Sequence, residues 1–275
     1  MVTLQQWLAH TKQQLTSLDA EIIACEVLQQ PLSFLYSHPE QALTTTQLSR
    51  CEQLSKRRIA GEPVAYITGH KEFWSLDLMV NPSVLIPRPE TELLIEVTLD
   101  TLPVNKELHI VDLGTGSGAI ALALAAERAC WQLYATDQSP EALTLAKANA
   151  TRLKIDNIVF FQGDWFAALP RDIQFDAIVS NPPYVALNDP HLASLCFEPV
   201  AALTAGPDGL EAIRQISAHA SSYLTVNGWL LLEHGYDQRQ AMTALFQTAG
   251  FDPICSYKDL AGKERVMKGQ SRGKI

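Results

Sequence analysis

Two hydrophobic patterns follow one another along the chain. Leu4, Trp7, Leu8, Leu15 and Leu18 recur at the three- and four-residue spacing of a helix face, as do Ile22, Ile23, Val27 and Leu28. Asp19 stands where it can cap the second of these helices, and Pro31 follows its end. A further helix is predicted from about Thr46 to Ile59, stopping at Gly61. No strand pattern interrupts these helices, so residues 1–62 are expected to form a small all-helical domain with its own core. Val64 to Val80 carries Tyr66, Ile67, Phe73, Trp74 and Leu76 around Gly69-His70 and reads as a β-hairpin. Residues 63–86 are therefore expected to be a hairpin linker between domains.

From about Glu90 the pattern becomes strand–helix alternation. Helix Glu90–Leu102 leads to strand Leu108–Leu113, helix Gly118–Arg128 and strand Gln132–Asp137. Helix Pro140–Leu153, strand Ile158–Gln162 and strand Phe175–Ser180 follow, then a long loop containing prolines. Helix Leu210–Leu224, strand Gly228–Glu233, helix Gln238–Ala249 and strands near Ile254–Lys258 and Glu264–Met267 close the pattern. Continuous apolar strands separated by helices specify a largely parallel sheet covered on both faces. Residues 87–275 are thus expected to form one α/β domain, with its ligand beyond the carboxyl ends of the strands where the strand order reverses.

Composition narrows the class. With 47% apolar and 19% charged residues the chain can bury full cores, as a soluble globular protein does. Its formal charge of -9 gives no overall attraction to phosphate backbones, so nucleic-acid binding would need a local basic patch. Lys56-Arg57-Arg58 is the single basic run and reads as a solvated helix face. Cys25, Cys51, Cys130, Cys196 and Cys255 are odd in number and widely spaced, which fits reduced thiols and neither a disulfide frame nor a metal site. Met1 to His10 has no signal-peptide character, and the longest apolar stretch, Ala119–Ala126, is too short to span a bilayer. A cytoplasmic protein is expected.

The chemistry concentrates at strand ends. Val111-Asp112-Leu113-Gly114-Thr115-Gly116-Ser117-Gly118 ends the first strand of the α/β region and opens the next helix. Its glycines allow a tight turn and close backbone approach to a ligand at a helix N-terminus. Gly114-x-Gly116-x-x-Ala119 also fits a loose dinucleotide fingerprint, so at this step a nicotinamide enzyme competes. Asp137 ends the second strand, where a carboxylate can accept both ribose hydroxyls of an adenosine ligand; Ser139 is placed to cap the following helix. Asp164 and Trp165, after the third strand, could bond an adenine amino group and cover the ring. Asp112 could bond the ligand's amino group or fix the turn.

Ser180-Asn181-Pro182-Pro183-Tyr184 chooses between the competitors. An amide or aryl-amine nitrogen is a poor nucleophile because its lone pair is delocalised. A catalyst can accept hydrogen bonds from both of its N–H groups as charge develops. The Asn181 side-chain oxygen offers one acceptor, and the rigid Asn-Pro-Pro segment can present the Pro182 carbonyl as the second. Tyr184 offers a flat face for a planar amide. Upstream, prolines stiffen Arg88 within Pro87-Arg88-Pro89-Glu90-Thr91-Glu92, an arm that could wall the site.

Asp112 to Gly118 together with Asn181-Pro182-Pro183-Tyr184 resembles the class I S-adenosylmethionine-dependent amino-methyltransferases. Val84 to Glu92, Tyr66-Ile67-x-Gly69 with Phe73, Phe197-Glu198-Pro199 with Ala202-Leu203, and Asp208-Gly209-Leu210 narrow the resemblance to the HemK/PrmC family, the release factor glutamine methyltransferases. The similarity runs from about Tyr66 to Arg265. It implies a Rossmann-like, mostly parallel seven-stranded sheet with one antiparallel strand, after a helical domain that helps dock the release factor. It implies methyl transfer from S-adenosyl-L-methionine to the side-chain nitrogen of the glutamine in the Gly-Gly-Gln motif of peptide chain release factors, by a monomer that binds no nucleic acid directly. By that likeness Asp112, Gly114, Thr115, Gly116, Ser117, Gly118, Asp137, Asp164, Trp165 and Asn181 bind the donor. Asn181, Pro182, Pro183, Tyr184 and Arg88 bind the substrate, with Asn181, Pro182 and Tyr184 catalytic. The roles of Glu198 and Asp208 stay open. A methyltransferase for adenine or cytosine amino groups in nucleic acid ranks second, since a flipped base also presents a planar amine; the acidity of the chain weighs against it.

Overall fold

A computed structural model describes residues 1–273 of the chain. They form two compact units, Met1–His70 and a larger one beginning at Lys71.

The first unit is helical: α1 (Leu4–Thr11), α2 (Ser17–Leu28), α3 (Leu32–Ser37), α4 (Thr45–Ile59) and α5 (Val64–Thr68). Leu4, Trp7, Ile23, Leu35, Leu54 and Ile67 make its core. Capping boxes open two helices: Thr3 with Gln6 on α1, and Thr44 with Gln47 on α4. Thr16, not Asp19, caps α2; its hydroxyl accepts from the Asp19 N–H. Asp19 sits instead in the first turn, where its carboxylate accepts from Arg58 Nε at 2.9 Å. Arg57 pairs with Glu62, so two of the three cations in the basic run are engaged within the unit. Lys12, Tyr36 and Ser17 all donate to the Glu21 carboxylate, and the Lys12 bond leads in holding it below the ordinary range.

Val64–Thr68, expected as the first arm of the hairpin, is a single helical turn ended by Gly69 in the left-handed conformation. The hairpin lies later, with strands β1 (His70–Phe73) and β2 (Leu76–Met79). Trp74 and Ser75 form its two-residue turn, both at positive φ, as a hairpin with right-handed twist demands. Carboxylates compensate those strained positions: Glu92 accepts from the Trp74 N–H, Glu72 from the Ser75 N–H, and Glu127 from the Trp74 indole.

The second unit continues with α6 (Glu92–Thr101), β3 (Leu108–Leu113), α7 (Ala119–Glu127), β4 (Trp131–Asp137), α8 (Pro140–Leu153) and β5 (Ile158–Gln162). Then come β6 (Phe175–Ser180), α9 (Glu211–Ala220), β7 (Leu224–Glu233), α10 (Arg239–Thr248), β8 (Phe251–Lys258) and β9 (Glu264–Ser271). The sheet has the order β5-β4-β3-β6-β7-β9-β8, with every strand parallel except β9, as the resemblance implies. The alternating side chains of β3 feed two separate cores: Ile110 packs with Leu94, Leu122 and Leu124, while Val111 and Leu113 pack with Ile178, Ile213 and Phe246. Burial on both faces is why these strands read as unbroken apolar runs. After β3 the chain winds outward through β4 and β5 and then returns to β6 on the other side of β3. The switch point therefore lies between the carboxyl ends of β3 and β6.

Among the described residues no helix is long and apolar enough to cross a membrane, and the cysteines are unpaired.

Candidate functional site

A cavity of about 400 Å³ opens at that switch point. Gly114, Thr115, Gly116, Ser117, Asp137, Asp164, Trp165, Asn181, Pro183 and Arg88 line it. Asp112, Gly118, Pro182 and Tyr184, also expected in the site, stand behind this lining and support it. Ser83, Val84, Leu85 and Glu141 line the cavity too, and no sequence pattern had pointed to them.

The loop after β3 is fixed before any ligand arrives. The Gly114 and Thr115 N–H groups both donate to the Thr136 carbonyl on β4, at 2.9 and 2.8 Å. Asp112 is fully buried beneath the loop, and its Oδ2 accepts the Thr115 hydroxyl at 2.7 Å, so it pins the turn. Burial pushes the Asp112 carboxyl up to about 7, against the opposing pull of that hydroxyl. Asn149 of α8, wholly buried, clamps the loop from below: its amide donates to the Ser117 carbonyl and exchanges two further bonds with the Met79 backbone. Gly114 is required by contact, since a Cβ there would stand 3.2 Å from the Trp165 ring at a φ of +72°. The Trp165 indole donates to Gln215 at 2.9 Å, which holds the ring across the loop.

Asp137 ends β4 facing the cavity. Its Oδ2 accepts from the Gly116 N–H and its Oδ1 from the Ser139 N–H, both at 2.9 Å. Ser139 caps α8 through the Ala142 N–H. A carboxylate has about four lone-pair positions, so Asp137 retains two for a ligand diol. Burial raises its pKa, and the backbone donors draw it back.

Across the switch point β6 ends at Ser180, whose buried hydroxyl donates to the Leu113 carbonyl at 2.6 Å and ties the two strand ends together. Asn181 Nδ2 donates to Thr91 Oγ1 at 3.1 Å, which leaves Oδ1 as the amide's free acceptor. The Tyr184 hydroxyl donates to Glu233 Oε1 at 3.1 Å, and burial first, then Glu233, raises its pKa. The Tyr184 carbonyl accepts Gln238 Nε2 at 3.0 Å. Gly209 fits against that same carbonyl; a Cβ on it would stand 2.3 Å from the oxygen. Arg88 lines the cavity with its guanidinium bonded to Glu198, a buried carboxylate that also accepts the Ile86 N–H at 3.2 Å. Glu198 thereby joins the stiff arm to the loop after β6. Asp208 is exposed, pairs with Arg214 and is held down to about 2 chiefly by that bond, outside the cavity. Among the described residues no group of three His, Cys, Asp or Glu side chains could hold a metal.

Residues 90–196 match the family model of the Methyltransferase small domain, and residues 4–69 that of the PrmC N-terminal domain. In fold, the chain is similar to a T. thermophilus 16S rRNA methyltransferase solved with AdoMet and guanosine (TM-score 0.55, 18% identity, 74% of this chain and 50% of that one). Parallel sheet, glycine loop and switch-point cavity together define a methyltransferase. The chain is 48% identical to the release factor glutamine methyltransferase of Coxiella burnetii, covering 97% of this chain and 98% of that protein. To the Vibrio cholerae protein of the same name it is 50% identical, covering 92% and 89%. The chain belongs to the release factor glutamine methyltransferase family.

Proposed function

We propose that this chain transfers a methyl group from S-adenosylmethionine to the side-chain nitrogen of the glutamine in the Gly-Gly-Gln motif of peptide chain release factors. The observation that carries the reading is the orientation of Asn181: its NH2 end is held by Thr91, so its oxygen is left to accept at the rim of the cavity. A planar primary amide carries two N–H groups in a fixed fork. Asn181 Oδ1 accepts one and the Pro182 carbonyl the other, which orients the nitrogen and favours localisation of its lone pair as it becomes the nucleophile.

The residues opposite suit the donor. Asp137 has acceptor capacity for a ribose diol, and Trp165 beside Gly114 suits a flat base. Bound S-adenosylmethionine supplies a sulfonium methyl that is already electrophilic. What remains for the protein is alignment, an effect on the order of 7–11 kcal/mol of barrier. Tyr184 gives the amide its flat face, and Arg88, held by Glu198, walls the acceptor side. A methylated amide nitrogen loses its surplus proton readily to water, so the site requires no general base. The helical unit helps dock the factor, as its match to the PrmC N-terminal domain supports. Free cysteines support action in the cytoplasm.

Methyl transfer from labelled donor tests this with three acceptors: a release factor, the same factor with its motif glutamine replaced by alanine, and duplex DNA. Label on the intact factor alone is the expected result. Label on DNA with none on the factor would retain the Asn181 chemistry and reject the acceptor.

A further inference from the structure

Behind Asn181 and Tyr184 lies a carboxylate that the reading above leaves without a task. Ser180 pairs with Leu232, so the next residues, Asn181 and Glu233, stand side by side at adjacent strand ends. Glu233 is buried, with 1% of its surface exposed, although it belongs to the sheet's functional edge. It accepts the Tyr184 hydroxyl, and the Thr91 hydroxyl also bonds to it and stabilises its charge. Thr91, itself buried, accepts the Asn181 NH2.

We propose that Glu233 is a positioning residue that, acting through Thr91, fixes which end of the Asn181 amide faces the acceptor nitrogen. The argument is one of donor and acceptor count. An ionised carboxylate only accepts, so Thr91 must spend its single proton on Glu233. The Thr91 oxygen can then only accept from Asn181, and the NH2 end of Asn181 alone can satisfy it. The Asn181 oxygen is thus turned to the cavity, where the two N–H groups of a glutamine amide need acceptors. Turned the other way, Asn181 would present N–H to N–H and repel its substrate. One buried charge therefore sets the polarity of a chain of three side chains.

The charged groups around Glu233 agree with this assignment. Arg265 of β9 favours its charge and is itself paired with Asp259; Glu90, in the turn before α6, opposes it. Arg88 acts on Tyr184, and the buried neighbour His234 is turned to the Gly235 carbonyl, with burial lowering its pKa. Burial pushes Glu233 up to about 7, with Thr91 and Tyr184 drawing it back. The lock is therefore set above that pH and released as the carboxyl takes up a proton below it.

The proposal rests on the methylation reading for its kinetic arm and not for its structural one. With the full chain and a release factor, Thr91→Val and Glu233→Gln should each lower kcat about a hundredfold, with donor affinity within about twofold. Thr91→Ser should restore most of the loss. The kcat of the natural chain should fall as pH drops through about 7, and Glu233→Gln should lack that limb. In 15N spectra the Asn181 side-chain NH2, assigned by its loss in Asn181→Ala, should exchange with solvent at least tenfold faster in Thr91→Val. That last readout holds whichever acceptor is methylated. If Glu233→Gln does not fold, the Thr91→Val and Thr91→Ser pair decides. Natural kcat in Thr91→Val, or unchanged exchange of the Asn181 NH2, would overturn the proposal; absence of methylation by the natural chain would reject only the acceptor reading.

Discussion

Gly209, 25 residues beyond Tyr184 in the chain, offers a sharp test of how the acceptor loop is held. In Gly209→Ala the new Cβ would stand 2.3 Å from the Tyr184 carbonyl oxygen and 3.0 Å from both its carbon and Gln238 Nε2. An unstrained C···O contact is about 3.3 Å or more, so the two backbones must part by roughly 1 Å. Gly209 also has φ +72°, which costs a side chain about 1–2 kcal/mol before any collision is counted. The separation pulls Tyr184 from the Gln238 amide that holds it at 3.0 Å, and Pro182 lies only two residues upstream. A misplacement of about 1 Å at an aligned nucleophile costs about a hundredfold in rate. We therefore expect kcat for release factor methylation to fall about a hundredfold, while donor affinity by calorimetry stays within about threefold. Gly250→Ala is the matched control, with φ +83° and nothing within 4 Å of the added carbon. It should lose about 1 kcal/mol of stability and keep its kcat. A Gly209→Ala chain as stable and as fast as the control would refute the idea that this contact positions the loop.

Three further outcomes follow from the same geometry. Asp137→Ala removes an acceptor with two free lone-pair positions and should weaken donor binding about a hundredfold by calorimetry; an unchanged dissociation constant would leave Asp137 only its bonds to Gly116 and Ser139. Arg88→Ala abandons the buried Glu198 carboxylate and should cost about 2–3 kcal/mol in denaturant unfolding, whereas Arg88→Met with Glu198→Leu should recover most of it; equal losses would argue against the pair. Asp112 and Glu233 have folded pKa values raised by burial to about 7, above their ordinary values of 3.8 and 4.5. Their stabilising contribution is complete below the ordinary values and is lost as pH rises through about 7, by on the order of 2–4 kcal/mol each. Asp112→Asn should therefore flatten the decline of stability between pH 5 and about 8, and an unaltered slope would contradict the assignment.

The parts of this molecule legible in the sequence are those whose cause is local. The limits of β3, β5 and β6 coincide with the predicted strands because their apolar runs end abruptly at glycine, asparagine or polar residues. The glycine loop and the Asn181 tetrapeptide were readable for the same reason, since each is contiguous and each is dictated by backbone chemistry. Where the deciding partner is remote, the reading failed. Val64–Thr68 carries β-branched and aromatic residues that favour a strand, yet Ala65, Tyr66 and Ile67 are buried as a single helical turn. The six-residue α3 is too short to show a period. Asp19 resembled a cap until Arg58, 39 residues away, claimed its carboxylate and left Thr16 to do the capping. Glu233 and Thr91 lie 49 and 90 residues from the side chains they bond, and nothing in their own neighbourhoods marks them.

The central claim is that Asn181 presents its amide oxygen to the side-chain nitrogen of a release factor glutamine. Fragment mass spectrometry of a release factor, treated with donor and either the natural chain or Asn181→Ala, tests it most directly. The account predicts one added methyl on the side-chain nitrogen of the Gly-Gly-Gln glutamine with the natural chain. With Asn181→Ala it predicts little or none, although that variant still binds donor. A methyl found elsewhere in the factor, or equal methylation by the variant, would contradict it.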